Sequence, residues 1–146
     1  MKSFVALFTV FFCSFVFAED CSTTIKSSDT MRYNKSSIEV PSSCSTFTVT
    51  LQNTGTLPKN IMGHNWVLSK ESDAKGVVKD GASQGLANDY VTPGDKRVIA
   101  NTKVTGAKES TSVTFDVSQL SKDEAYLYFC SFPGHMSMLN GKLKLI

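Results

Sequence analysis

Two histidines, His64 and His135, and one cysteine, Cys130, are the residues of this chain best suited to chemistry. A lone histidine is more often structural or surface-exposed than a ligand, but the neighbours here change that reading. Cys130 ends the aromatic segment Tyr126-Leu-Tyr-Phe-Cys130, and His135 follows it by five residues across a Pro133-Gly134 turn. A turn of that length can fold a thiolate and an imidazole back onto one point. His64 lies far away in sequence, between Met62-Gly63 and Asn65-Trp66, in an apolar, strand-like stretch. Delivered from there, it would complete a trigonal set of two imidazoles and one thiolate. With weak, long axial donors, that is the donor set of a blue-copper electron-transfer centre. Thiolate and imidazole suit both Cu(I) and Cu(II), and a geometry between the two preferences lets an electron move with little rearrangement.

The elements that must position these residues read as all-β. Phe47, Val49 and Leu51 alternate with threonines, Val113, Phe115 and Val117 repeat the pattern, and Leu143 and Leu145 alternate with lysines. Shorter strand candidates cover residues 38–40, 62–68 and 97–100. Pro41-Ser-Ser, Asn53-Thr-Gly, Thr92-Pro-Gly-Asp, Ser121-Lys-Asp-Glu and Asn140-Gly punctuate them. Many short strands with frequent turns predict an antiparallel sandwich or barrel. Residues 71–86 are polar and lack clear alternation, so they predict a long excursion with a short helix.

The N-terminus sets the expected compartment. Lys2 precedes an almost continuous apolar run over residues 4–17, too short for a comfortable membrane span of about 20 residues. Val16-Phe17-Ala18 then fits a Sec-type signal peptide cut after Ala18, leaving residues 19–146 as one soluble, exported domain without membrane attachment. Cys21, Cys44 and Cys130 survive that cut. Export favours disulfides, and an odd count leaves one thiol over. The economical assignment pairs Cys21 with Cys44 and leaves Cys130 for chemistry. Charged residues make up 19% of the 146-residue chain and the formal net charge is +2, which argues against a nucleic-acid partner.

Two segments carry a specific resemblance: Leu57-Pro-Lys-Asn-Ile-Met-Gly-His-Asn-Trp-Val-Leu68 and Phe129-Cys-Ser-Phe-Pro-Gly-His135. Agreement continues through Gly76-Val-Val-Lys-Asp-Gly81, Arg97-Val-Ile-Ala100 and Ser112-Val-Thr-Phe-Asp-Val117. With these, the chain resembles the azurins, small periplasmic blue-copper proteins of the cupredoxin family, over essentially all of residues 19–146. The resemblance implies an eight-stranded Greek-key β-sandwich with one short flanking helix and a disulfide near the N-terminus, which the Cys21–Cys44 interval fits. It implies one copper ion per chain, cycling between Cu(I) and Cu(II), with His64, Cys130 and His135 as strong equatorial ligands. The Gly63 carbonyl would lie on one axial side. Asn65 would brace the ligand loops and hydrogen-bond near the Cys130 sulfur. Trp66 reads as core packing. Leu57, Ile61, Met62, Phe132, Pro133 and Met138 would form an apolar rim for docking. The partners implied are transient redox proteins, a c-type cytochrome or a periplasmic oxidoreductase, met by a monomer.

This sequence departs from the pattern at the second axial position. The family places a methionine four residues after the second histidine, where this chain has Leu139. Met138 lies one residue early. The ungapped register puts Leu139 at the metal and Met138 on the rim, whereas a one-residue slip would bring Met138 in as the axial ligand and flip every side chain of the segment. Asn53 and Asn101 stand where many azurins carry further histidines.

Other functions fit the residues less well. A thiol enzyme built on Cys130 and His135 lacks a clear partner to orient the imidazole and an evident oxyanion site. The same donors could hold zinc. A copper-buffering protein without a main shuttle role is the alternative to a periplasmic carrier of single electrons.

Overall fold

A computed structural model describes residues 20–146. The signal-peptide expectation lies outside the described residues. Among them, eight strands form two facing sheets: β1 (Ser22–Ser27), β2 (Ser37–Val40), β3 (Thr46–Asn53), β4 (Val67–Lys70), β5 (Val98–Asn101), β6 (Ser110–Asp116), β7 (Tyr126–Phe129) and β8 (Asn140–Leu145). One sheet has the order β1-β3-β6 and the other β2-β8-β7-β4-β5. A one-turn helix α1 (Lys59–Met62) precedes β4, and α2 (Ala74–Gly81) follows it.

Alternation sets which face each strand buries. Phe47, Val49 and Leu51 of β3 turn inward with Ile25 of β1 and Phe115 of β6. Val40, Leu143 and Leu145 do the same from the opposite sheet. Trp66 and Tyr128 fill the space between, both fully buried, with ring centroids 5.9 Å apart. Trp66 also stacks on Phe115 at 6.3 Å. It is therefore a core residue.

β4 and β7 break the alternation because they are buried on both faces. Val67 and Phe129 point away from the main core and meet Ala74 and Val77 of α2, together with Val91. The predicted polar excursion thus contains a helix whose apolar stripe closes the outer face of the larger sheet. Two short 3₁₀ turns, Ala82–Gln84 and Leu86–Asn88, continue it.

The structure differs from the sequence expectation in three respects. The stretch 62–68 is a strand only from Val67. Pro58 opens α1, where its fixed φ and missing N–H suit a helix start, and Met62 ends that helix. An apolar run does not by itself separate these states. Secondly, the sheets are not wholly antiparallel, since β1 runs parallel to β3 and β2 parallel to β8. Alternation reports which face is buried and is silent on strand direction. Thirdly, β1 escapes the pattern because Ile25 is the only large apolar residue in Ser-Thr-Thr-Ile-Lys-Ser.

Cys21 and Cys44 are bonded, with Cα atoms 5.7 Å apart and 23 residues of separation. The bridge ties the start of β1 to the approach of β3. Closing a loop of this size stabilises the fold by about 3 kcal/mol in the chain-entropy account. Replacing both cysteines by serine is therefore expected to lower the melting temperature by several degrees while leaving the metal-dependent absorption unchanged. Differential scanning calorimetry and a visible spectrum of the same sample check this.

Candidate metal centre

Three segments from distant parts of the chain converge at one end of the sandwich. His64 follows α1 and is held by a single bridge to Thr105. The His64 N–H donates to the Thr105 carbonyl at 3.0 Å, and the Thr105 N–H and hydroxyl donate back to the His64 carbonyl at 2.7 and 2.8 Å. Cys130 leaves the end of β7, and its N–H donates to the Leu139 carbonyl at 3.0 Å. His135 lies on the turn between them, where Gly134 adopts a φ of +82° that an L side chain would strain. Gly63 is required for a different reason. A Cβ there would fall 2.5 Å from both the Lys59 carbonyl oxygen and the Val104 side chain.

One ligand-type atom from each of His64, Cys130 and His135 lies within 4.8 Å of the others. The Cys130 sulfur and His135 Nδ1 are 3.7 Å apart. Donors that share a central ion at bonds of about 2.0–2.3 Å stand roughly this far from one another. His64 Nε2 meets the Ser28 carbonyl at 2.9 Å. A carbonyl only accepts, so Nε2 carries the proton and Nδ1 bears the lone pair. That Nδ1 is buried and has no hydrogen-bond partner. An orphaned acceptor in a dry interior is costly unless a cation completes it.

Burial sets the protonation of the cluster. It pushes the Cys130 thiol up to about 11, although the Asn65 and Phe132 N–H groups pull the other way. It pushes His135 down to about 4, reinforced by His64 and opposed by the Gly63 carbonyl. His64 is also lowered by burial, against the pull of the Ser28 carbonyl and Asp29. At neutral pH both imidazoles are therefore neutral and able to donate to a metal, while the thiol keeps its proton until a metal displaces it. The linkage signs follow for the metal-free protein. A depressed histidine favours the folded state above its unfolded value and loses that contribution as pH falls towards 4. A raised thiol favours the folded state below its unfolded value and loses it as pH rises towards 11. Melting temperature of the metal-free protein is expected to plateau between about pH 6.5 and 8.5 and to fall on both sides, partly through these two groups. Scans across pH 4–11 measure it, and a His135→Gly variant should flatten the acid limb.

Asn65 joins the segments. Its side-chain carbonyl accepts from the Ser131 N–H at 2.9 Å, and its amide donates to the Ser131 hydroxyl and the Asp89 carbonyl, each at 2.8 Å. Asp89 in turn accepts from the Val104 N–H at 2.7 Å. Sequence reasoning singled out Asn65 but missed Ser28, Thr105, Ser131 and Asp89. It also missed Tyr33, whose hydroxyl donates to the Asn65 backbone carbonyl. No local motif marks these residues, because most of their contacts use backbone carbonyls of segments remote in sequence.

Met138 and Leu139, the two candidates for the second axial position, lie in different surroundings. Met138 lies at the surface with 45% of its area exposed, whereas Leu139 is fully buried in one cluster with Cys130, Phe132 and Val104. The Leu139 N–H donates to the His135 carbonyl at 2.9 Å, and its carbonyl accepts from the Cys130 N–H at 3.0 Å. The residues of the expected rim differ in exposure. Leu57, Ile61 and Pro133 are exposed and Met62 is half-buried, but Phe132 is only 8% exposed. Phe132 stacks on His135 at 4.6 Å and meets Tyr90 edge-on at 5.0 Å, so it walls the cluster.

Known proteins resemble this chain in sequence and fold. Residues 19–146 match the family described as copper binding proteins, plastocyanin/azurin family. Azurin iso-2 of Methylomonas sp. strain J is 59% identical over 125 residues, covering 86% of this chain and 97% of that protein. Azurin of Achromobacter denitrificans is 58% identical over 130 residues, 89% of this chain and 87% of its own length. A solved azurin structure from Methylomonas sp. strain J superposes with a TM-score of 0.85 at 58% identity, covering 88% of this chain and 99% of that one. The chain belongs to the plastocyanin/azurin family of copper-binding proteins, as a blue-copper electron-transfer protein with a His-Cys-His site for one copper ion.

Proposed function

We propose that residues 19–146 act as a monomeric periplasmic carrier, not an enzyme, passing single electrons between transient redox partners such as a c-type cytochrome or a periplasmic oxidoreductase. In this reading His64, Cys130 and His135 would hold the copper, with the Gly63 carbonyl and the Leu139 side chain beside them. Bound copper supplies the one-electron couple. The chain's own residues do the rest. The Asn65 and Phe132 N–H groups hold the Cys130 sulfur, the Ser28 carbonyl fixes the His64 tautomer, and Phe132 and Leu139 keep water out. The exposed Leu57, Ile61 and Pro133 offer the small apolar face that a short-lived redox encounter needs.

The observation that carries this reading is the unpartnered, buried His64 Nδ1 beside the Cys130 sulfur and His135. The apolar run over residues 4–17 supports export, with cleavage after Ala18. Metal analysis, an absorption spectrum and voltammetry on periplasmic protein test it. One copper per chain, an intense visible band and a reversible wave are expected, with an intact mass matching disulfide-bonded residues 19–146. Zinc as the only native metal, or a copper form without a reversible wave, would defeat the carrier reading.

A further inference from the structure

A groove of about 340 Å³ opens beside the metal loop, lined by Arg32, Tyr33, Lys35, Ser137, Met138 and Asn140. It carries two cations and no carboxylate. Outside the groove, Lys59 pairs with Glu109, Lys70 with Glu124, and Arg97 with Asp80 and Asp95, while the remaining described lysines, like Arg32 and Lys35, make no ion pair. Arg32 makes no ion pair or side-chain hydrogen bond among the described residues. Lys35 donates to the Thr23 hydroxyl at 2.6 Å, which leaves its charge unneutralised. What sets the groove apart is that no carboxylate lines it, whereas the hollow that holds Lys122, Lys142 and Lys144 also holds Glu39, Glu71, Asp123 and Glu124, so the field inside the groove is positive.

The groove is continuous with the metal centre on two sides. Ser137 and Met138 belong to the turn that carries His135, and Met138 N–H donates to the His135 carbonyl at 3.0 Å. The Asn140 amide braces the same turn through the Met136 carbonyl at 2.8 Å. Tyr33, in the groove wall, packs against the cluster of Cys130 and Leu139, and its hydroxyl reaches the Asn65 carbonyl. One side chain therefore spans from the groove to the backbone that supports the Cys130 sulfur.

We infer that this groove steers and seats an electron partner whose docking face is acidic, carboxylates meeting Arg32 and Lys35 while an apolar surface covers Met138. The inference rests on the electron-carrier reading. Charge complementarity of this kind raises the association rate and selects partners more than it deepens affinity. The transfer makes and breaks no bond: a ferrous haem becomes ferric, and the oxidised site gains that electron.

The test uses the copper-loaded protein and one cytochrome c in two forms, native and basic or lysine-succinylated and acidic. Stopped-flow mixing of oxidised protein with each ferrous form measures the second-order rate at about 0.01 M and about 0.15 M salt, where the Debye length is about 30 and about 8 Å. Arg32→Gln/Lys35→Gln is expected to slow reaction with the acidic form about tenfold or more at low salt, within the range of electrostatic steering. The loss should shrink at the higher salt, and the native form should not slow. Lys122→Gln/Lys144→Gln makes the same charge change in a separate hollow beside β8 and should leave the acidic-form rate within about twofold of the unsubstituted protein. Potential and spectrum should match in all three proteins. In reduced, isotope-labelled protein, adding the ferrous acidic form should shift the amide signals of residues 32–36 and 137–140.

Equal slowing by both double variants, or shifts that avoid the groove, would overturn the inference while leaving electron transfer intact. Absence of exchange with either cytochrome, together with no reversible wave, would instead overturn the carrier reading and this inference with it.

Discussion

Cys130→Ser is expected to abolish the intense visible absorption of the copper-loaded protein and to weaken copper binding by more than the roughly 10–100-fold that changes around a ligand cost. The band needs a thiolate as charge-transfer donor, and a serine hydroxyl neither ionises near neutral pH nor donates charge as a soft sulfur does. The fold should survive. Cys130 is fully buried, but a hydroxyl oxygen can still accept from the Asn65 and Phe132 N–H groups that now hold the sulfur. Circular dichroism separates loss of the site from loss of the sandwich. A retained band with the fold intact would mean that another group supplies the colour.

Leu139→Met is expected to lower the reduction potential. Leu139 is fully buried against Cys130, in one cluster with Val104 and Phe132. Its side chain has no donor atom, so a bound oxidised copper would gain no support from this position. A thioether is a weak donor that favours the more electron-poor Cu(II) state. For a one-electron couple, a tenfold gain in relative affinity for the oxidised ion lowers the potential by about 59 mV, and a drop of at least that size is expected. The swap nearly conserves volume, so stability should change by less than about 1.5 kcal/mol. Met138→Leu acts at the surface and should leave potential and spectrum alone. Voltammetry of the two variants decides the point: sensitivity at Met138 with an inert Leu139→Met would reverse the assignment.

The sequence displays some of this arrangement and hides the rest for physical reasons. His64, Cys130 and His135 are legible because a thiol and an imidazole five residues apart across Pro133-Gly134 imply a turn that brings them together. Burial by alternation is legible in β3 and β8, where period two is strict. The parallel pairing of β1 with β3 is not, because an alternating strand buries the same residues in either direction. The one-turn helix before Gly63 is hidden by an apolar run that a strand would also explain. Around the donors, what sequence conceals is mainly backbone: the Ser28 carbonyl under His64, the Asp89 carbonyl under Asn65, the Asn65 carbonyl on Tyr33. Any residue type supplies those atoms, so no residue type announces them.

The Cys21–Cys44 bridge also bears on the order in which the chain can assemble. Pairing β3 with β6 sets Thr46 against Asp116 and Gln52 against Ser110, partners dozens of residues apart, and β2 must find β8 across nearly the whole domain. Non-local pairings of this kind make a β-sandwich slow to fold, because the chain loses loop entropy before the contacts repay it. The covalent bond joins the approaches of β1 and β3, so a chain oxidised while still unfolded has already closed the loop behind one parallel pair. Its remaining search is the docking of β6 and the assembly of the opposite sheet. If the β1–β3 contact belongs to the rate-limiting nucleus, oxidised chains refold faster than reduced ones; if it forms after that barrier, the bond acts on the unfolding rate instead.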